Sequence, residues 1–252
     1  MQKKFKHSGA FGDLIYSLSL VNHLGGGEFY LHLNQIDWIG YHYYGSKPNP
    51  VHQGRLTESD YEFMVDFMLD QSYIKGFDIM TDQTEITHNL DRFRPAFVGH
   101  PTNYIDLYAV TFGIRDPEQH RVMRNTPWLS VTTPKKIAAT VINRTARWLP
   151  QSLAPQWRDP DFVRDSIFVG LPNEHQAFKE ATGLDIEHYL THTMLDMAEV
   201  IAGADRFIGN QSSCLALAIG LGKEYWCERR TDLPIERNEC YLPDHPRGHY
   251  FC

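Results

Sequence analysis

No apolar run in the sequence approaches the roughly 18–20 residues that a membrane-spanning helix needs, so no stable membrane insertion is expected. Positive charge is also scarce: 24 Lys and Arg face 31 Asp and Glu, a formal net charge of −7. A dedicated non-specific nucleic-acid binder carries the opposite balance, because its affinity comes from neutralising phosphates. Cysteine is absent before Cys214, and Cys214, Cys227, Cys240 and Cys252 form no CxxC pair. The opening MQKKFKHSGAFGD runs into a Gly-rich turn instead of a long apolar stretch. No secretory signal is therefore expected, and with it a cytoplasmic location and reduced thiols. There is no Walker motif and no complete GxGxxG. What remains is ordinary for a globular chain, with 42% apolar and 22% charged residues among 252.

One cluster tests the metal question. Cys240, His245, His249 and Cys252 bunch in CYLPDHPRGHYFC, and two Cys with two His can close a tetrahedral zinc site. Their spacing matches no common zinc module, and 13 histidines make chance clustering easy. The expectation is no metal.

Both halves read as strands alternating with helices, the signature of α/β layers around parallel sheets. Lys4 to His7 is a short strand, Ser8 to Gly12 a tight turn. A helix from Asp13 to about Leu24 then carries Leu14, Ile15, Leu18 and Val21 on one face. Gly25-Gly26-Gly27 stops it before a strand at 29–33. Thr57-x-x-Asp60 opens a helix with core residues Met64, Phe67 and Met68. A strand is predicted at 77–80 and a helix at 104–112, with 127–136 as the linker between halves. The second half offers strands at 137–142 and 167–170 and a helix capped by Asn173. A second capping box, Thr193-x-x-Asp196, opens a helix through Leu195, Ala198 and Ile201. A strand tip at Phe207-Ile208, a turn at 209–213, a small-residue helix at 215–221 and a strand from Tyr225 complete the pattern.

Two strand–turn–helix junctions carry the groups suited to chemistry. In open parallel sheets, ligands sit outside the carboxyl ends of strands, where helix N-termini present unpaired N–H groups. In HSGAFGD, Gly9 and Gly12 allow close backbone approach and Asp13 projects from the helix start; an ordinary helix cap reads the same way. In FIGNQSSCLALAIGLGK, Asn210, Gln211, Ser212 and Ser213 surround a helix N-terminus suited to a diphosphate. The alternative is a polar cap on a packed core helix. The aromatic-rich loop 41–55, with Tyr43 and Arg55, offers rings that can stack on sugars or bases, and reads for most of its residues as a surface loop packed by its own aromatics; Asp91, Arg92 and Arg94 in LDRFRP border the cleft or form a solvated charge pair.

GDLIYSL together with LDMAEVIAGADRFIGNQSSCLALAIGLGK resembles the heptosyltransferase-like family of GT-B glycosyltransferases, the ADP-heptose:lipopolysaccharide heptosyltransferase type, and small phage and environmental proteins of that kind. The likeness covers the first 30 residues and about 190–227. Gln211 and Ser213 replace the family's Asp and second Gly in GNDSG, Ala216 stands for a frequent His, and Ser19 for a Pro.

The resemblance implies two Rossmann-like domains facing an interdomain cleft. Residues 1–131 would bind the acceptor, and 132–252, including a C-terminal tail, the nucleotide-sugar donor. It implies inverting transfer of a sugar to an acceptor hydroxyl, with Asp13 as general base. The Asn210–Ser213 turn and Arg144 and Arg147 would hold the diphosphate. No cofactor is needed beyond the donor substrate; the acceptor would be a glycan, a lipid-linked saccharide or a modified base. Two other readings stay open: a catalytically silent binding protein for glycan or nucleotide, and an enzyme glycosylating a base in phage DNA.

Overall fold

The computed structural model describes residues 2–34, 56–97, 103–146, 149–232, 240–242 and 244–252, with the backbone alone at 94–97. Short β-rich runs and helical apolar stripes build two parallel sheets. The first comes from β1 (Lys4–His7), β2 (Gly27–Leu31), β3 (Ile74–Ile79) and β4 (His88–Asn89), in the order β3-β2-β1-β4. Between and after them lie α1 (Phe11–His23), α2 (Glu58–Leu69), a 3-10 helix Leu90–Phe97, α3 (Tyr104–Thr111) and α4 (Pro117–Asn125). The second sheet uses β5 (Thr140–Asn143), β6 (Ser166–Phe168), β7 (Glu187–His188), β8 (Arg206–Asn210), β9 (Glu224–Glu228) and β10 (Gly248–Phe251). Its order is β10-β9-β8-β5-β6-β7, with helices α5 (Pro172–Thr182), α6 (Met194–Gly203) and α7 (Ser213–Gly220). All described strand pairs are parallel.

Local signals explain most elements. Leu14, Ile15, Leu18 and Val21 are fully buried on α1, which ends before Gly25 and Gly26, both at positive φ. Gly27 is not part of the stop but the first residue of β2. The Thr57 box closes as expected, its N–H donating to Asp60 Oδ2 at 2.8 Å, and Met64, Phe67 and Met68 are buried beneath it. Thr193 caps α6, where Val200 and Met194 are buried and Leu195 is only half-buried, a shift of the predicted stripe. Leu171, not Asn173, is the N-cap of α5. From Cys214 to Gly220, α7 is buried on every side, as an all-apolar helix must be.

The core joins the halves. α1 packs on α7 and α2 on α6, and residues of all four helices share one continuous apolar cluster. Trp128, in the irregular stretch between the sheets, donates from Nε1 to Ile15 O at 3.1 Å. A second cluster lies within the second half, where Trp157 meets Phe162, Phe178 and Phe251 edge-on.

Each sheet reverses its winding once, between β1 and β4 and between β5 and β8. Crevices at such switch points, outside the carboxyl ends of strands, are where open α/β sheets bind ligands.

Candidate functional site

At the first switch point the strand end is tied down by buried polar groups. His7, the last residue of β1, accepts the Gly9 N–H on Nδ1 at 2.8 Å and meets Tyr108 Oη through Nε2 at 2.8 Å. Tyr108 Oη donates onward to Asp13 O at 3.0 Å. Asp91, in the first turn of the 3-10 helix after β4, accepts the Ser8 N–H at 3.0 Å and lies 3.4 Å from Lys6 Nζ. Lys6, His7, Asp13 and Asp91 are all buried. Charges removed from water persist when paired, and the Lys6–Asp91 contact supplies such pairing.

Asp13 is the third residue of α1. The N-cap is Ala10, with no side-chain cap bond, so an N-cap role does not describe this carboxylate. The helix dipole favours its charge there. A Cβ placed on Gly9 would stand 3.1 Å from Asp13 Oδ2 and only 2.6 Å from the His7 ring. Glycine at that position therefore lets loop, imidazole and carboxylate share one small space.

The second switch point is built from amides. Asn210 ends β8, fully buried, and clamps the Thr145 backbone: Oδ1 accepts its N–H and Nδ2 donates to its carbonyl, both at 3.0 Å. Ser212 caps α7, its hydroxyl accepting the Leu215 N–H at 3.2 Å. Ser213 opens the helix, and Gln211 Oε1 lies 3.8 Å from Cys240 Sγ. Burial pushes the Cys214 thiol up to about 12, which favours its protonated form.

Several expectations change here. Asn210 and Ser212 make their described side-chain bonds to the protein itself. Arg144 is not an open cation: buried, it pairs with Glu228 through Nε–Oε2 at 2.6 Å and Nη2–Oε1 at 3.3 Å. Trp157 Nε1 completes that contact, donating to Glu228 Oε1 at 2.9 Å. Arg92 is exposed. Arg147, Tyr43 and Arg55 lie outside the described residues, as does the Arg94 side chain.

The two junctions meet. A Cβ on Gly12 would lie 4.0 Å from the Ser213 backbone nitrogen, so the first turns of α1 and α7 stand side by side. Two helix N-termini then point their partial positive charges at one region, with the Asp13 carboxylate beside them. Lys6, His7, Tyr108 and the role of Asp91 were not among the sequence-derived site residues. The only sequence hint was a pair of basic residues in the strand KFKH.

The cysteine–histidine cluster dissolves into structure. His249 lies in β10 and stacks on Trp226 at 4.4 Å, while His245 faces Tyr225. Cys240 Sγ sits 3.7 Å from Cys227 Sγ, and Cys252 is exposed. Among the described residues no group of three or more His, Cys, Asp or Glu is arranged to hold a metal ion. A cavity of about 400 Å³, lined by Asp205, Lys223, Glu224, Arg247 and His249 among others, lies at the opposite ends of β8, β9 and β10, away from both junctions. No helix among the described residues is long and apolar enough to cross a membrane.

No protein-family model matches the chain, and no curated protein matches it in sequence. Solved structures do match in shape. The glycosyl transferase family 9 protein of Veillonella parvula superposes with a TM-score of 0.58 at 11% identity, covering 99% of this chain and 85% of that one. ADP-heptose lipopolysaccharide heptosyltransferase II of E. coli gives 0.56 at 11% identity, covering 99% and 90%. The iron-containing dodecameric glycosyltransferase TibC of enterotoxigenic E. coli gives 0.54 at 12%, covering 96% and 61%. The likeness runs nearly end to end: this is the α/β fold of those glycosyltransferases.

Proposed function

We propose that the chain is an inverting, metal-independent glycosyltransferase acting on a nucleotide-sugar donor. One observation carries the reading: the carboxylate-bearing first turn of α1 abuts the N-terminus of α7 at Ser213, each at the switch point of its own sheet. In this reading the backbone N–H groups of the α7 first turn bind the donor diphosphate, and Asp13 faces the acceptor hydroxyl. Asp13 takes the hydroxyl proton as the acceptor oxygen attacks the anomeric carbon. The bond from that carbon to the phosphate oxygen breaks, and the nucleoside diphosphate leaves with the electron pair. The helix dipoles of α1 and α7 stabilise the charge that develops on the leaving group.

Residues 1–131 form the acceptor side, with the Gly9–Gly12 turn carrying Asp13 towards the substrate and Tyr43 and Arg55 as candidate acceptor contacts. Residues 132–252 form the donor side. There Arg147 is the cation proposed for the diphosphate, while Arg144 is neutralised by Glu228. ADP-heptose, which a TibC structure contains, belongs among the first donors to try.

A thermal-shift screen against ADP, UDP and GDP and their sugar conjugates tests the donor side by mass action. Asp13→Asn is expected to lower turnover by roughly 10²–10⁴-fold while nucleotide binding survives. Loss of binding and turnover together would return Asp13 to a purely structural part. The compensation of Arg144 by Glu228 favours a second reading, a binding protein without turnover. Donor binding with no transfer across a broad acceptor panel would select it.

A further inference from the structure

We infer that His7 and Tyr108 form a positioning relay that fixes the first turn of α1, and so the aim of the Asp13 carboxylate. The inference rests on the transferase reading above and extends it to two residues that touch no substrate.

Direction of hydrogen bonding comes first. The Gly9 backbone N–H can only donate, so His7 Nδ1, 2.8 Å away, is the accepting nitrogen without a proton. The ring proton then sits on Nε2 and goes to Tyr108 Oη at 2.8 Å. Tyr108's own proton goes to Asp13 O at 3.0 Å. Along these three bonds donors and acceptors alternate from the Gly9 amide to the helix carbonyl, which sets the ring proton on Nε2; Asp91 Oδ1, 3.6 Å from Nδ1, lies beyond hydrogen-bond distance of that nitrogen.

Packing alone does not call for this chain. Tyr108 is fully buried with its ring 4.4 Å from that of Phe93, a setting that a phenylalanine would satisfy. The hydroxyl instead reaches the main chain of the one residue that bears the proposed base. That turn also needs an anchor, because its N-cap, Ala10, brings no side-chain cap. On the other side the same imidazole holds the Ser8–Ala10 loop, whose Gly9 lies against the Asp13 carboxyl. One ring thus sets both walls of the space around Asp13.

Three substitutions separate the parts. Tyr108→Phe removes only the hydroxyl. His7→Asn keeps an acceptor where Nδ1 stands and loses the reach to Tyr108; His7→Gln keeps a donor near Nε2 and loses the Gly9 contact. Nucleoside diphosphate release from ADP-, UDP- and GDP-sugars is measured for each, beside nucleotide binding and melting temperature. Tyr108→Phe and His7→Asn are expected to lower kcat by about 10- to 100-fold, the scale of a small misplacement of a reacting group. Nucleotide affinity should stay within about twofold, because the donor turn is untouched, and His7→Gln, which keeps the Tyr108 arm alone, should recover only part of the rate.

Unchanged kcat in folded Tyr108→Phe overturns the relay and leaves the transferase reading standing. Rates that follow melting temperature across the three variants overturn it too. A wild-type chain with no turnover on any donor removes both readings at once. A nitrogen-15 spectrum of the His7 ring gives a readout apart from activity: a proton on Nδ1, or a doubly protonated ring at neutral pH, overturns the relay whatever the rates.

Discussion

The two switch points occupy the same place in their sheets and solve it with opposite chemistry. Between β1 and β4 the strand ends are held by ionisable side chains, Lys6, His7 and Asp91, all buried. Between β5 and β8 they are held by a neutral amide, Asn210, gripping both polar groups of Thr145. Charge at the second junction is cancelled nearby by the Arg144–Glu228 pair. Buried ionisable groups need fixed partners around them, at a cost in desolvation. A buried neutral amide holds a strand end without that cost, provided its own donors and acceptors are satisfied.

Breaking each side should give distinct, graded outcomes. Glu228→Ala is expected to lose about 3–5 kcal/mol in urea denaturation, because Arg144 and Trp157 Nε1 lose their buried partner. Asp91→Ala, which takes a carboxylate from Lys6 and from the Ser8 N–H, should cost about 3 kcal/mol. The double variant Lys6→Met, Asp91→Asn should return much of that loss; no recovery would mean that the ion pair is not what holds this junction. Asn210→Ala strands the Thr145 N–H and C=O and should cost about 1–3 kcal/mol, with little salt dependence. Ser212→Ala removes a cap from α7 and should cost about 1 kcal/mol.

A titration outside both junctions calibrates them. His245, where the loop before β10 meets Arg247 and Arg124, is pushed down to about 4 by burial first and by Arg247 next. Between about 4 and 6.5 the unfolded chain therefore holds more protons at this ring than the folded one. Stability from it is present above 6.5 and is lost as pH falls towards 4. Replacing His245 with Asn should flatten that slope; an unchanged slope would assign the acid sensitivity elsewhere.

Legibility followed the range of the signal. The stripe on α1, the Thr57 and Thr193 caps and the apolar α7 are local, written within a dozen residues. By contrast β4 has two residues, and α4, PEQHRVMRN, buries only Met123, so neither carries a pattern. β10 hid inside what looked like zinc ligands, because GHYF becomes a strand only when the edge of β9 is there to pair with it. Asp13, Gly12 and Ser213 stood out through helix-start chemistry. Asp91 lies far along the chain from Lys6, and Tyr108 and Glu228 lie 101 and 84 residues from His7 and Arg144, beyond any spacing rule.

Composition and periodicity by themselves settled that this chain forms layered α/β halves and which residues begin the helices at its two junctions. Only the tertiary structure decided that those helix starts touch, that Arg144 is neutralised, and that Tyr108 reaches Asp13. The reason is physical. Backbone periodicity is a local property of the chain, whereas compensation of a buried charge depends on whichever distant group folding delivers to it.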